Sequence, residues 1–262
     1  MRDAVIVEAL RTPVGKNAGG LAGVHPVALS ATVLNALVAK AGIDPGLIDD
    51  VVWGCVGQVG DQAVNIARNA VLEAGWPVSV PGTTVDRQCG SSQQAVHFAA
   101  AGLIAGQYDV VAAGGVESMS RVPMGSSVRG GSPMGPGFKE RFGGVRPHQG
   151  LGAEAIAAKW GLSRTQLDEF SLGSHAKAAA AADAGFFDAQ IVPVTTPAGT
   201  VVAKDEGIRR GGTLAKLAGL KPAFREDGVI HAGNSSQISD GSAGLLMMTS
   251  QKAAQLGLTP IA

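Results

Sequence analysis

Apolar residues recur along this chain in two rhythms. Short, nearly continuous apolar runs at 4–9, 49–56, 81–85, 108–116 and 244–249 read as buried strands, and 191–195 as a further short one. Between them, helical spacing predicts a helix over 26–41, with Pro26 in its first turn and Gly42 just past its end. A second helix covers 65–74, closed by Gly75 with Pro77 beyond. A third starts at Ser92 and runs through Ala95, Val96, Ala99, Ala100, Leu103 and Ile104. Strands alternating with helices predict right-handed crossovers, and hence an α/β fold with a mostly parallel five-stranded sheet covered by helices.

The pattern changes after Ser120. Residues 121–152 are rich in Gly, Ser, Pro and Arg and carry no clear period, which predicts a long irregular stretch. Helices follow over 153–160 and from Ser163 to about Ala184, where Ser163 and Gln166 have capping-box spacing. Residues 205–226 are mixed and charged, and core-like sequence returns at Ile230. This places an inserted lobe at 119–228, interrupting an α/β domain made of 1–118 and 229–262.

Composition narrows the class. At 262 residues with 45% hydrophobic content, the chain can build a sizeable core. The 21 basic and 21 acidic residues balance, which points away from nucleic acid and acidic membranes. No run of 18 apolar residues occurs and no basic-then-apolar leader opens the chain, so a cytoplasmic protein without a membrane span is expected. Two cysteines without regular spacing offer neither a disulfide framework nor a metal site. The 38 glycines imply many tight turns and close backbone approaches.

One of those cysteines is placed for chemistry. Thr84-Val85-Asp86-Arg87-Gln88-Cys89-Gly90-Ser91-Ser92 reads as strand, tight turn and helix start. A thiol at a helix N-terminus gains from the positive dipole end, and the N–H groups there suit a developing oxyanion. Cys89 is therefore a candidate nucleophile for acyl transfer. A small buried hydrophobe is the competing reading, and position alone leaves both open. Cys55, in a strand, reads as structural. His97 lies eight residues beyond Cys89 on one helix, about 12 Å along its axis, too far to be its base and so a packed or capping residue. His25, His175 and His231 carry no signal, and surface or loop positions are expected for them. Gly150-Leu151-Gly152-Ala153-Glu154-Ala155 fits a dinucleotide fingerprint, but it follows an irregular basic loop rather than a strand, which excludes that use.

The segment around Cys89 resembles the nucleophile segment of the thiolase family, enzymes that make or cleave 3-ketoacyl-CoA thioesters. Glu8-Ala9-Leu10-Arg11-Thr12-Pro13-Val14-Gly15-Lys16 resembles that family's opening segment, and Gly114-Gly115-Val116-Glu117-Ser118-Met119-Ser120 the strand and turn after the nucleophile helix. Ala232-Gly233-Asn234-Ser235-Ser236-Gln237-Ile238-Ser239-Asp240-Gly241 resembles its coenzyme-side loop. These motifs stand in the family's order over nearly the whole chain. The resemblance implies Cys89 as the nucleophile that carries an S-acyl intermediate between CoA thioesters. It implies CoA contacts at His148, Arg209, Phe224, Ala232 and Ser236. His148-Gln149-Gly150-Leu151-Gly152-Ala153-Glu154 is similar to a family segment usually written His-Met-Gly-x-Thr-Ala-Glu. Gln149 and Gly152 depart from it, and a polar side chain at Gln149 bears on acyl-chain preference.

The resemblance further implies CoA and acyl-CoA as substrates, no bound prosthetic group, no nucleic-acid or membrane partner, and a homodimer or homotetramer. The family's Asn-Glu-Ala-Phe, Gly-His-Pro and Cys-x-Gly-Gly-Gly-x-Gly segments, which supply its oxyanion asparagine, activating histidine and second cysteine, do not occur in these 262 residues. The match is thus to a first α/β half and its inserted loop domain, with the second half absent. These residues alone are then not expected to catalyse condensation at a thiolase-like rate. A related condensing enzyme, such as a ketosynthase or hydroxymethylglutaryl-CoA synthase, is an alternative that the segments around His148 and Arg209 oppose. A non-catalytic CoA-binding or dimerisation half-module is the other.

Overall fold

A computed structural model describes residues 2–145 and 147–262; Met1 and Arg146 lie outside the described residues. The chain forms two compact units. The first comprises Met1–Ser127, Ala189–Glu206 and Ile238–Ala262, and the second Val128–Asp188 and Gly207–Gln237.

In the first unit, β1 (Val5–Arg11) and the short β2 (Gly15–Lys16) precede α1 (Pro26–Ala41). The helix α1 begins where His25 Nδ1 accepts the Val27 N–H and ends at Gly42 in the left-handed conformation, φ 68°. Leu29, Val33, Leu34 and Leu37 recur at helical spacing, so one face of α1 is fully buried. Then come β3 (Asp50–Gly54), α2 (Ile66–Glu73), β4 (Thr83–Val85), α3 (Ser91–Ala105) and β5 (Val110–Ser118). The core on one sheet face joins α1 and α2 to Val51, Trp53 and Leu246. The other face carries Ala95, Ala99 and Leu103 of α3 against Val52, Val111 and Met247.

The sheet is mixed rather than mostly parallel. Its order is β1-β8-β5-β3-β4, where β8 spans Ser239–Met248 and β2 also pairs with β8. The strand β3 is parallel to β4 and β5, but β8 is antiparallel to both β1 and β5. The strands joined through α1, α2 and α3, namely β1, β3, β4 and β5, do share one direction. The last strand enters the middle of the sheet after a long excursion of the chain, without a helical crossover to set its direction. It also starts earlier than its apolar run. Ser239, Asp240 and Gly241 look like loop residues, but Asp240 is buried and accepts the Ser120 N–H, while buried Ser242 donates to Gly115 O. These bonds offset part of the cost of burying both side chains, although Asp240 Oδ2 has no hydrogen-bond partner among the described residues. A final helix, α8 (Ser250–Gln255), is capped by Thr249 and has no counterpart in the sequence pattern.

Residues 189–206 add a two-stranded ribbon, β6 (Val194–Thr195) with β7 (Val201–Val202). Val192, Val194 and Val202 pack into the first core, so this segment belongs to the first unit.

The second unit holds α4 (Pro136–Arg141), α5 (Gln149–Trp160), α6 (Arg164–Asp183) and α7 (Leu214–Ala218). The capping box at Ser163 and Gln166 is present. The helix α5 starts at Gln149, four residues before the apolar pattern, because His148 Nδ1 caps it through the Gly150 N–H at 3.1 Å. The span 119–228 read from sequence differs from this unit at both ends and in the excursion of 189–206.

Candidate active site

Cys89 is exposed, whereas Cys55 is buried. Three elements hold Cys89 in place. The edge strand β4 ends at Val85. A turn follows in which Gln88, a non-glycine residue, has φ 46°. Such a conformation is uncommon and is sustained only by its surroundings. Here Asp86 Oδ1 accepts the Gln88 N–H at 2.7 Å, and Ser91 Oγ donates to Gln88 O at 2.6 Å while accepting the Arg87 N–H at 3.0 Å. Gly90 then caps α3. The turn uses two of the N–H groups expected to be open: Gly90 N donates to Arg87 O and Ser91 N to Gln88 O. An oxyanion site at Cys89 must therefore draw on other donors.

The first turn of α3 sits directly on the sheet. A Cβ at Gly54 would meet Ser92 N, and one at Gly115 would meet Ser92 Oγ and Gly54 O. Glycine at these two positions lets the helix start approach the strand ends, which fixes where Cys89 projects. Cys55 follows β3, and burial, reinforced by the nearby Glu117 carboxylate, pushes its thiol up to about 12. It is chemically silent near neutrality.

The remaining candidates lie in the second unit. The His148 and Phe224 rings are 5.3 Å apart and tilted by 49°. Phe224 also lies over the start of α5, where a Cβ at Gly150 would meet its ring. Pro222 bridges His231 and Ala223 N donates to Ile230 O, so Phe224 and the loop after Ile230 share one narrow hairpin. Ala232 and Ser236 are exposed on that loop. Arg209 lies elsewhere in the unit, beside α6. Its N–H donates to His175 Nδ1 at 3.2 Å, and it lines a cavity of about 430 Å³ with Leu172, Gly173, Ala176, Ala179, Arg210 and Gly212. Gly173, Ala176 and Ala179 of that lining recur every three residues on α6, and Arg210 is ion-paired with Asp183 at 2.8 Å. A larger cavity of about 540 Å³, lined by His25, Val27, Asn69, Leu72 and Glu73, involves none of the candidate residues.

His97 and His231 are placed differently from expectation, whereas His25 is exposed in a loop as expected. His97 is exposed on α3, neither packed nor capping. His25 caps α1 and His175 holds the Arg209 backbone. His231, expected on the surface, is fully buried and bonds Asp168 Oδ1 through Nε2 at 2.7 Å. The apolar pair Val229-Ile230 before it is the only sequence signal of that burial. Among the described residues no group of three His, Cys, Asp or Glu is arranged to hold a metal ion, and no helix is long and apolar enough to cross a membrane.

Residues 4–251 match the family described as thiolase, N-terminal domain. The chain belongs to the thiolase family. Its thiolase relatives include a steroid 3-ketoacyl-CoA thiolase of Mycobacterium tuberculosis, 44% identical over 99% of this chain and 65% of that protein. A 3-ketoacyl-CoA thiolase of Saccharophagus degradans is 44% identical over 100% of this chain and 68% of its own length. The crystal structure of the Bacillus anthracis acetyl-CoA acetyltransferase superposes with a TM-score of 0.87 at 40% identity, covering 99% of this chain and 68% of that one. The chain thus spans about two thirds of the length of these thiolases, and its α/β fold is theirs.

Proposed function

We propose that this chain carries the nucleophile and part of the coenzyme site of a thiolase-type acyltransferase, working on 3-ketoacyl-CoA by thiolysis or on acetyl-CoA by condensation. In thiolysis the Cys89 sulfur, as thiolate, adds to the 3-keto carbon. The bond between C2 and C3 breaks, C2 takes a proton and leaves as acetyl-CoA, and the acyl group remains as a thioester on Cys89. The thiol of a second CoA then attacks that thioester, takes the acyl group and returns the Cys89 thiolate. A thioester intermediate lies near its thioester substrates in energy, which is why cysteine suits the step.

The observation that carries this reading is the exposed Cys89 on its strained turn at the start of α3, in a chain of this family. Support for a coenzyme role in the second unit is chemical. Arg209 in the lining of that cavity suits the phosphates and purine of CoA. The His148–Phe224 pair and the small residues Ala232 and Ser236 suit a narrow pantetheine arm. The same reading has the protein as a cytoplasmic homodimer or homotetramer without a prosthetic group.

Incubation with acetyl-CoA followed by peptide mapping tests it. An acetyl group on the Cys89 peptide, absent after Cys89→Ser, is the expected result. CoA binding without any acyl group on Cys89 would leave a coenzyme-binding module and overturn the catalytic reading.

A further inference from the structure

The buried polar cluster beneath the 229–237 loop has no part in the chemistry above, and His231, Asn234 and Asp168 in it form a closed circuit of hydrogen bonds. His231 is 0% and Asp168 2% exposed. His231 Nδ1 accepts the Gly233 N–H at 3.0 Å, so that nitrogen carries no proton. The ring proton is then on Nε2, where it donates to Asp168 Oδ1 at 2.7 Å. The His231 N–H donates to Asn234 Oδ1 at 2.8 Å, and the His231 carbonyl accepts from Ser235 Oγ at 2.8 Å and Asn234 N at 3.1 Å. Asn234 Nδ2 closes the circuit, donating to Asp168 Oδ1 at 3.1 Å and to Val229 O at 3.0 Å. Asp168 also faces Arg164, with Nε 3.8 Å from Oδ2. Just upstream, buried Glu154 of α5 accepts the Val229 and Ile230 N–H groups at 3.0 and 2.9 Å.

The backbone groups and Nδ1 of His231 are thus spent on holding Gly233, Asn234 and Ser235 of the loop, and its Nε2 ties them to Asp168. The ring spans two roles that no shorter side chain fills together: an acceptor for the loop backbone and a donor to a carboxylate on α6. We infer that His231 and Asp168 are positioning residues that preset the 232–236 loop for the pantetheine arm of CoA. The inference rests on the coenzyme reading above. Preorganising a loop removes the cost of ordering it on binding, so the lock acts on the affinity of the ligand portion that touches the loop and not on the rest.

That distinction defines the experiment. Calorimetry on the full chain compares CoA with adenosine 3′,5′-bisphosphate, a fragment without the pantetheine arm. His231→Ala and Asp168→Ala should each weaken CoA about five- to tenfold and leave the fragment unchanged. His231→Gln, whose amide reaches Asp168, should recover part of the loss and covers the case in which an alanine variant fails to fold. Arg209→Ala serves as the reference and should weaken both ligands. CoA affinity unchanged in folded His231→Ala, or equal weakening of both ligands, would overturn the positioning role. Failure of wild-type protein to bind either ligand, or no effect of Arg209→Ala, would instead overturn the coenzyme reading beneath it.

Discussion

At the scale of single residues, the two cysteines differ in placement. Both are thiols in one α/β unit, yet one is exposed on a strained turn and the other is buried beside Glu117. With its thiol pushed up to about 12, Cys55 holds only about one thiolate in ten thousand at pH 8. Limited iodoacetamide treatment of folded protein at that pH should therefore label Cys89 and spare Cys55, as read by peptide mapping. Faster labelling of Cys55 would remove the basis for Cys89 as nucleophile. The strand-to-helix turn that carries Cys89 was legible in the sequence because the apolar run, the tight turn and the helix start are all local. His231 was not, because its role depends on Asp168, sixty-three residues away in sequence and bonded only after folding.

At the scale of elements, the helix caps and most strand positions were legible because they depend on neighbours in sequence. Pro26, Gly42 and the Ser163–Gln166 box act within one turn of chain. The start of α5 was missed because a histidine supplied its cap, and histidine is not a usual capping residue. The seat of α3 is a tertiary matter. Adding one methyl group at Gly115 forces it into Ser92 Oγ and the Gly54 carbonyl. Gly115→Ala should cost about 1–3 kcal/mol of unfolding free energy, as overpacking in a close-packed core does, measured by urea denaturation. An unchanged midpoint would mean that α3 shifts freely and that the glycine does not set the position of Cys89.

At the scale of the whole molecule, the chain leaves the first unit and returns to it twice. One return is fastened by Arg11 at the end of β1, whose guanidinium grips both Asp205 carboxylate oxygens at 2.7 and 3.0 Å. Burial pushes the Asp205 carboxyl up, but the Arg11 hydrogen bonds, the Val14 N–H and the Arg11 charge together hold it below its usual value of 3.8. A depressed folded value means stability that is present above about pH 4 and is lost as pH falls through the lower value. Arg11→Gln should lower stability by about 1–2 kcal/mol near neutrality and flatten that acid slope, checked by melting temperature across pH 2–7. The same slope in both proteins would show that Asp205 is not held by Arg11. Hydrophobic period, caps and turn residues were enough to establish an α/β chain and to single out the strand-to-helix turn at Cys89 as a candidate site, because each acts over a few residues. The antiparallel entry of β8, the allocation of 189–206 to the first unit and the buried His231–Asp168 lock were decided only in three dimensions. Each joins segments far apart in sequence, where no local period records which partner will be met.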